Sequence, residues 1–241
     1  MNLKSTLLGL AIGIFIFITI PFNSIFRVGT NGSGNVIKEV RKVSTFNAID
    51  AGSAFEIIIE KGDNQSLIIK TDDNIMPKII TKVSNGELKI STKGNINNTS
   101  MMKVFITMKE LRSVDLSGAA TLNSESRWET DRMNLELSGA STSELKIKCA
   151  KLDLDISGAA TSILSGYATK IDGEISGASS LKAYDLEVEH ATVDCSGAAS
   201  AKIFVSKSIN GEASGAASIY YKGNPKKIDI RTSGAGSIKK K

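Results

Sequence analysis

Residues 152–162 read Leu-Asp-Leu-Asp-Ile-Ser-Gly-Ala-Ala-Thr-Ser, and variants of this phrase return throughout the second half of the chain. Its centre, Ser-Gly-Ala, begins at seven positions: Ser117, Ser138, Ser157, Ser176, Ser196, Ser214 and Ser233. Successive copies lie 18 to 21 residues apart. A fixed short period predicts a solenoid, in which each repeat is one coil that buries its apolar face only against its neighbours.

The residues that precede each Ser-Gly-Ala alternate between apolar and polar. Positions one, three and five residues before the serine are mostly apolar, which is typical of a strand with one buried face. Positions two, four and six residues before it are mostly polar, and the whole of these three columns, Leu111 included, is expected to face water. On this face, a lysine and an aspartate two residues apart can lie side by side. Three such pairs occur: Lys151 with Asp153, Lys170 with Asp172, and Lys227 with Asp229.

Small residues mark a corner after each strand. The glycine permits a positive φ or a close backbone approach, and the alanine after it is small enough for a crowded inner corner. Two residues further on stands a column of hydroxyl side chains, which could point inward or outward: Thr121, Thr142, Thr161, Ser180, Ser200, Ser218 and Ser237.

The fold class predicted from these patterns is all-β: a single-stranded β-helix with about seven regular coils of about 19 residues. A leucine-rich repeat is the rival at this period, but its leucine frame is absent. The regular coils are expected over residues 111–241. Residues 45–110 form a less regular β region, either opening coils or a small capping sheet, with a hairpin turn at Asn85-Gly86. Residues 27–44 are predicted as linker and start of the domain.

The N-terminal 26 residues form a separate segment. Lys4 precedes an apolar run from Leu7 to Ile20, which Pro21 ends. This pattern fits a secretory signal peptide, although no A-x-A-like cleavage site or lipobox cysteine follows. An uncleaved membrane anchor over Leu7–Phe26 is therefore the alternative. Both predict export to the periplasm, the outer membrane or cell surface, or the medium, with inner-membrane anchoring in the second case.

Composition excludes a nucleic-acid-binding protein. The formal net charge is +5 and aromatic residues make up 5% of the chain. A charge this small over alternating signs, with no aromatic-basic patch apparent, is not the footprint of a nucleic-acid partner. The basic tail Lys239, Lys240 and Lys241 is expected to guard the exposed edge of the last coil, the alternative being an anion site.

Most signatures of catalysis are missing from the sequence. It contains no phosphate-binding loop, no H-E-x-x-H, no C-x-x-C and no G-x-S-x-G. His190 is the only histidine, and its column predicts a solvated side chain rather than a general base. Trp128 is expected to pack in a corner rather than stack on a sugar. Cys195 occupies an inward column, and a disulfide with Cys149 is not expected. No catalytic residue and no cofactor are predicted.

One constellation supports a specific hypothesis. A carboxylate stands two residues before six of the seven serines, and stacking would place these groups in a row about 4.8 Å apart. The row is predicted to be either a plain solvated face or a set of oxygen ligands for Ca²⁺. Its members are Asp115, Glu136, Asp155, Glu174, Asp194 and Glu212.

The order of several short motifs resembles the head-GIN domain family. These motifs are Gly32-Ser33-Gly34-Asn35-Val36, Phe46, Phe55-Glu56-Ile57, Gly62 and Asp73-Asn74, followed by the Ser-Gly-Ala repeats, so that the resemblance covers about residues 32–238. That family is described as an auto-transporter adhesin and is common in exported proteins of Bacteroidetes. The resemblance implies a β-helical domain at the cell envelope and supplies no catalytic residues.

The functional expectation is a non-catalytic exported β-solenoid that binds an envelope protein or a glycan, as an adhesin-like or structural module. An envelope sensor or accessory domain is the alternative, touching a membrane partner through Leu7–Phe26. A polysaccharide-active β-helix enzyme is a third possibility, but the repeats vary by only a residue or two and leave little material for cleft walls.

Overall fold

The structure, a computed structural model, describes residues 29–241, so the predicted signal peptide or anchor at 1–26 lies outside the described residues. The first nine strands are β1 (Thr30–Asn31), β2 (Val36–Val40), β3 (Ala48–Ala51), β4 (Glu56–Lys61), β5 (Ser66–Asp72), β6 (Ile79–Ser84), β7 (Glu87–Thr92), β8 (Ile96–Asn98) and β9 (Met102–Met108). The other nine are β10 (Ser113–Leu116), β11 (Thr121–Leu137), β12 (Thr142–Ile156), β13 (Thr161–Ile175), β14 (Ser180–Cys195), β15 (Ser200–Ala213), β16 (Ser218–Lys222), β17 (Lys227–Thr232) and β18 (Ser237–Lys240).

The regular half of the molecule is a β-solenoid of about seven turns with coils of about 19 residues, as the repeat predicts. Strands β11 to β15 are each nearly a whole coil, 14 to 17 residues long. Each pairs in parallel with the next, and equivalent repeat positions lie side by side, as Leu135, Leu154 and Gly173 do. The described residues hold one 3-10 helix, Met76–Lys78, and no helix of the length and apolarity that crossing a bilayer requires.

The core is a continuous column of aliphatic side chains inside the coils. The predicted inward positions are buried from Val114 to Ala213. The column six residues before the serine does not wholly face water, because Leu111 is buried at 1% exposure. At the other end the inward positions Ile228 and Ile230 of β17 are 51% and 41% exposed, since no further coil of the described chain covers them.

The corners show why the Ser-Gly-Ala phrase repeats. The seven glycines have φ between +64° and +74°. At six of the seven corners the alanine amide after the glycine donates to the carbonyl of the glycine one coil below, as from Ala159 N to Gly139 O at 2.7 Å. This alanine does not fill an inner corner, contrary to the sequence prediction, but is exposed. The small buried position is the next residue, for example Ala160 or Ser179.

An eighth corner lies in the irregular region. Ser53 has φ +65°, and its carbonyl accepts a hydrogen bond of 2.7 Å from Ala119 N. It occupies the glycine position of a coil made by β3 and β4, which stacks directly against β10 and β11. On the other side of this coil lie β7 and β9, also in parallel. The coil formed early in the chain is therefore sandwiched between two later ones.

Antiparallel strands close the N-terminal end of the stack, so residues 45–110 form both opening coils and a cap. Strand β5 pairs with β9 and β2, and β6 pairs with β7 through the predicted turn, where Asn85 and Gly86 have φ +53° and +78°. The segment predicted as linker and start of the domain contributes β1 and β2 to this end.

Candidate binding faces

The structure brings the six predicted carboxylates into one row. They stand in register on successive coils: Asp115, Glu136, Asp155, Glu174, Asp194 and Glu212. Asp50 of the sandwiched coil pairs with Asp115 and extends the row to seven. We call these seven residues the acidic row. A cation lies at each end of the acidic row. Lys89 forms an ion pair with Asp50 at one end, and Arg231 pairs in register with Glu212 at the other.

Partial burial, together with crowding in the acidic row, raises the pKa of two of its carboxyl groups. Partial burial, followed by the charges of Asp50 and Glu136, raises the pKa of Asp115. Burial and the neighbouring Glu212 likewise raise the pKa of Asp194. At the capped end the hydrogen bond and charge of Asp50 raise the pKa of Lys89. The row is therefore an electrostatically unfavourable surface that the coil geometry holds in place.

A shallow groove runs along the acidic row where the coils turn. Its volume is about 570 Å³, and four carboxylates and four corner serines line it: Asp155, Glu174, Asp194, Glu212, Ser157, Ser176, Ser196 and Ser214. The carboxylates lie along a line rather than around a point. Within residues 29–241, no group of three or more His, Cys, Asp or Glu side chains is arranged to hold a metal ion. Calcium binding stays a prediction from the sequence, and calorimetric titration of the protein with Ca²⁺ tests it.

Ion pairs cover other outward columns. The expected pairs form between Lys151 and Asp153, at 2.5 Å, and between Lys170 and Asp172, at 3.9 Å. The third predicted pair is wrong, because Asp229 contacts Arg231 at 3.3 Å instead of Lys227. A concavity of about 620 Å³ nearby has walls of both signs, including Glu129, Asp131, Arg132 and Lys148. Mixed charge of this kind is typical of a solvated surface.

The residues considered for catalysis are dispersed. His190 is exposed, and its Nδ1 lies 2.7 Å from Ser208 Oγ. Trp128 is buried, and its indole N–H donates to Ser124 Oγ at 3.0 Å. Cys149 and Cys195 are both buried free thiols, whose pKa values burial raises to about 11 and about 12. A thiol with so high a pKa is a weak nucleophile at neutral pH, and both act as small apolar core residues.

The predicted hydroxyl column stands on the outer side of its strands and is half-buried. One pair of hydroxyls that bond to each other inside the core is one residue further along, where Ser143 Oγ lies 3.0 Å from Ser162 Oγ. The period-2 pattern could have located this pair, because these serines occupy a position that Leu122 and Leu181 fill in other coils.

Two of the short motifs that carried the family resemblance bind each other. The Asp73 carboxylate accepts from Ser33 Oγ at 2.6 Å and from Asn35 Nδ2 at 2.9 Å. The buried Asp72 accepts from Gly34 N, Thr99 Oγ1 and Ser100 N at 2.6 to 3.0 Å. These hydrogen bonds, that of Thr99 foremost, lower the pKa of Asp72. We call this contact of residues 32–35 with residues 72–74 the clasp. Its role is structural.

One surface was not anticipated. No aromatic-basic patch is apparent along the sequence, but the last coils bring Tyr184 and Tyr220 together with Lys202, Lys222 and Lys241 around a concavity of about 470 Å³. We call these five residues the Lys-Tyr concavity. The rest of the basic tail lies at the edge of the sheet: Lys239 and Lys240 belong to β18, and Lys240 Nζ bonds to Asn224.

The coil geometry, the stacked corners and the charged outer columns define the chain as a parallel β-solenoid. It belongs to the family described as "Putative auto-transporter adhesin, head GIN domain", whose model matches residues 45–225. No curated protein is a significant match to the chain.

Solved structures support the same assignment. A putative adhesin from Bacteroides fragilis is 26% identical, with a TM-score of 0.84 over 88% of this chain and 100% of that one. A putative adhesin from Parabacteroides merdae, at 21% identity and TM-score 0.72, covers 88% of this chain and 99% of its own. A putative lipid binding protein from Parabacteroides distasonis, at 19% identity and TM-score 0.72, covers 89% and 100%. The last two share the fold of this chain. What their names say about adhesion or lipid binding applies to those proteins and is not transferred to this chain.

Proposed function

We propose that this protein is an exported, non-catalytic binding module of the cell envelope, which attaches to a partner through the charged lateral faces of its solenoid. Membership of the adhesin-named family supports the class, and the apolar segment at 1–26 supports export. The observation that carries the proposal is the acidic row, which runs without interruption from Asp50 to Glu212.

The closeness of the carboxylates within the acidic row opposes folding, although Asp50 at its end also pairs with Lys89. Two carboxylates about 4.8 Å apart repel by about 0.9 kcal/mol in water before salt screening. A partner with positive groups at the same spacing relieves this repulsion when it binds. Such a gain depends on a straight, repeating surface, which a stack of equal coils supplies.

Adhesion of protein-coated beads tests the proposal. The full chain, purified as the cell exports it, is coupled to inert beads, and the beads are applied to immobilised matrix proteins, mucins and wall polymers under flow. We expect retention that falls with added salt and drops at least fivefold for the Glu136→Gln/Glu174→Gln/Glu212→Gln variant. A variant with the same charge change elsewhere, Asp63→Asn/Glu125→Gln/Glu144→Gln, should be retained like the parent protein.

The result that contradicts the proposal is a lack of retention on every surface, or equal retention of both variants. The sensor alternative predicts something different, since it needs Leu7–Phe26 as an anchor. Cell fractionation and sequencing of the mature N-terminus separate the two. Release with residues 7–20 removed favours the adhesin-like module, whereas retention of the intact segment in the inner membrane favours the sensor.

A further inference from the structure

The Lys-Tyr concavity differs in charge from the other concavities described above. Those lined by the acidic row and by the mixed charges each include carboxylates. The lining of the Lys-Tyr concavity is two tyrosines and three lysines, with no acidic residue. Asp185 and Glu187 follow Tyr184 in the chain but are not part of the lining. The surface is therefore positive on a local scale, although the chain as a whole is nearly balanced.

A register shift lies beside the concavity. In the pairing of β14 with β15, Ala183 lies opposite Ile203, while the next pair is Glu187 with Phe204. The residues between Ala183 and Glu187 form a bulge, and Tyr184 within it lies on the outer side of the strand beside the following coils. There its ring meets Lys222, a residue 38 positions later in the sequence. Bulges that re-aim a side chain are frequent beside binding sites.

The tyrosine rings hold the ammonium groups in place. Lys222 Nζ lies 4.4 Å from the centre of the Tyr184 ring, and Lys241 Nζ lies 5.0 Å from that of Tyr220. A cation over an aromatic face is attracted by the ring without being neutralised. In the part of the chain that the structure describes, Lys202, Lys222 and Lys241 form no ion pair. Their full charges stay available to a ligand.

Further lysines continue the positive surface along the stack. Lys182 pairs in register with Lys202, which pairs with Tyr220, which pairs with Lys239. Neighbouring members of this column are therefore one coil apart, about 4.8 Å. An anionic polymer that runs parallel to the stack axis can place one negative group on each coil.

We propose that the Lys-Tyr concavity binds an acidic polysaccharide, a linear glycan that carries a carboxylate or sulfate on its sugar units. One sugar unit is about as long as one coil is thick, so successive acidic groups match successive coils. An extended acidic peptide fits less well, because residues on one of its faces repeat at about 6.6 Å. This site is independent of the acidic row, which lies on the other side of the Ser-Gly-Ala corners.

Nucleic acid is a poorer match to the same surface. Proteins that bind single strands without sequence preference offer open aromatic faces on which bases stack. Here Lys222 and Lys241 already cover a face of Tyr184 and of Tyr220. The rings therefore position charge and do not provide stacking platforms.

Affinity electrophoresis of the full chain tests the proposal, with polygalacturonate cast in the gel. Fully methyl-esterified polygalacturonate is the matched control polymer, because it has the same backbone without charge. We expect retardation by the acidic polymer only, weakening as salt is added. The Lys202→Gln/Lys222→Gln variant should bind at least tenfold more weakly. The control variant is Lys42→Gln/Lys82→Gln, which changes two exposed lysines at the other end of the stack. This variant should bind like the parent protein.

A second pair of variants tests the role of the ring. Tyr184→Leu removes the aromatic face beneath Lys222 and should weaken binding several-fold, whereas Tyr184→Phe keeps the face and should restore it. Circular dichroism confirms that each variant is folded. Equal binding of the two polymers, or full binding by the Lys202/Lys222 variant, overturns the proposal. Tighter binding to single-stranded DNA or to anionic lipid vesicles, with the same dependence on these lysines, also overturns it in favour of that class.

Failure here is distinguishable from failure of the proposed function. If the beads adhere through the acidic row but polygalacturonate neither binds to the protein nor competes with adhesion, the glycan site is excluded. The proposed adhesin-like function is then still supported. The same gels report on the enzyme alternative, because shortened polymer chains would reveal hydrolysis or lysis of the polysaccharide.

Discussion

At the scale of single residues, two constraints act on each corner glycine. Gly158 has φ +71°, a region that side chains disfavour. A Cβ on it would also lie 2.6 Å from the carbonyl oxygen of Gly139, which cannot move without breaking the corner hydrogen bonds. At Gly34 only the backbone constraint applies. Its φ is +86°, but no atom lies within 4 Å of an added Cβ.

Alanine at these two glycines should therefore differ in cost. We expect Gly34→Ala to lower the free energy of unfolding by about 1 kcal/mol, the cost of the backbone conformation alone. Gly158→Ala should lower it by about 3 kcal/mol, because overpacking against fixed backbone is added. Urea denaturation measures both. Equal losses would mean that the stacked carbonyl imposes no steric constraint.

The raised pKa of Asp115 gives a dependence on pH with a definite sign. A folded state that raises an acid's pKa is stabilised by protonation, so the penalty is present at neutral pH and disappears as pH falls through the raised pKa. Asp115→Asn should raise Tm at pH 7 by about 1–2 °C, for a relief of about 0.5 kcal/mol. At about pH 3, below the ordinary aspartate pKa, both proteins should melt together.

Asp63→Asn is the control for the Asp115 experiment, because this aspartate is exposed and its near neighbour Lys109 is a cation 3.6 Å away. It should not raise Tm at pH 7. A gain for Asp115→Asn that persists undiminished at pH 3 would exclude charge repulsion as its cause.

At the scale of elements, the clasp attaches β2 to the rest of the cap. Asp72 is buried with three donors, and a Cβ on Gly32 would lie 2.1 Å from its carboxylate. Removing the carboxylate leaves those donors unsatisfied, which is costly for buried groups. Loss of the clasp therefore acts first on the strand that it holds.

Asp72→Ala should increase hydrogen exchange in β2 by at least tenfold while β12 and β13 in the regular coils keep their protection. Because hydrogen bonds lower the pKa of Asp72, its contribution to stability is present above the ordinary aspartate pKa and is lost as pH falls through the lowered one. Mass spectrometry of exchanged peptides measures the effect. Uniform deprotection of the whole molecule would instead show that the cap and the coils unfold as one unit.

At the scale of the whole molecule, stability is a sum over stacked coils. Residues 157–175 span one coil, and without them β12 would meet β14 with the columns in register apart from the bulge that β14 already forms against β13. We expect the protein lacking 157–175 to fold with unchanged β content by circular dichroism and a lower Tm. Deletion of only 157–171 shifts the columns and should prevent folding. Equal behaviour of the two deletions would contradict the in-register stack.

The regular coils and the acidic row were predictable because both depend on columns one period apart. Leu135 and Leu154, or Glu136 and Asp155, need only the repeat to be placed side by side. Other features depend on partners that no period indicates. Ser53 takes the glycine position of a corner with no Ser-Gly-Ala phrase, although Asp50 and Ile49 fit the columns. The bulge between Ala183 and Glu187, beside the contact of Tyr184 with Lys222, is likewise not indicated by the period.

The sandwiched coil of β3 and β4 bears on how the chain is made and exported. Both of its long edges pair with strands that follow it, one with residues 87–108 and the other with residues 113–123. A chain that emerges N-terminus first must therefore hold two unpaired aliphatic segments, 48–51 and 56–61, until about fifty more residues have arrived. Assembly therefore cannot proceed coil by coil from the N-terminus. A holding chaperone that binds these two segments would protect the newly translocated protein from aggregation.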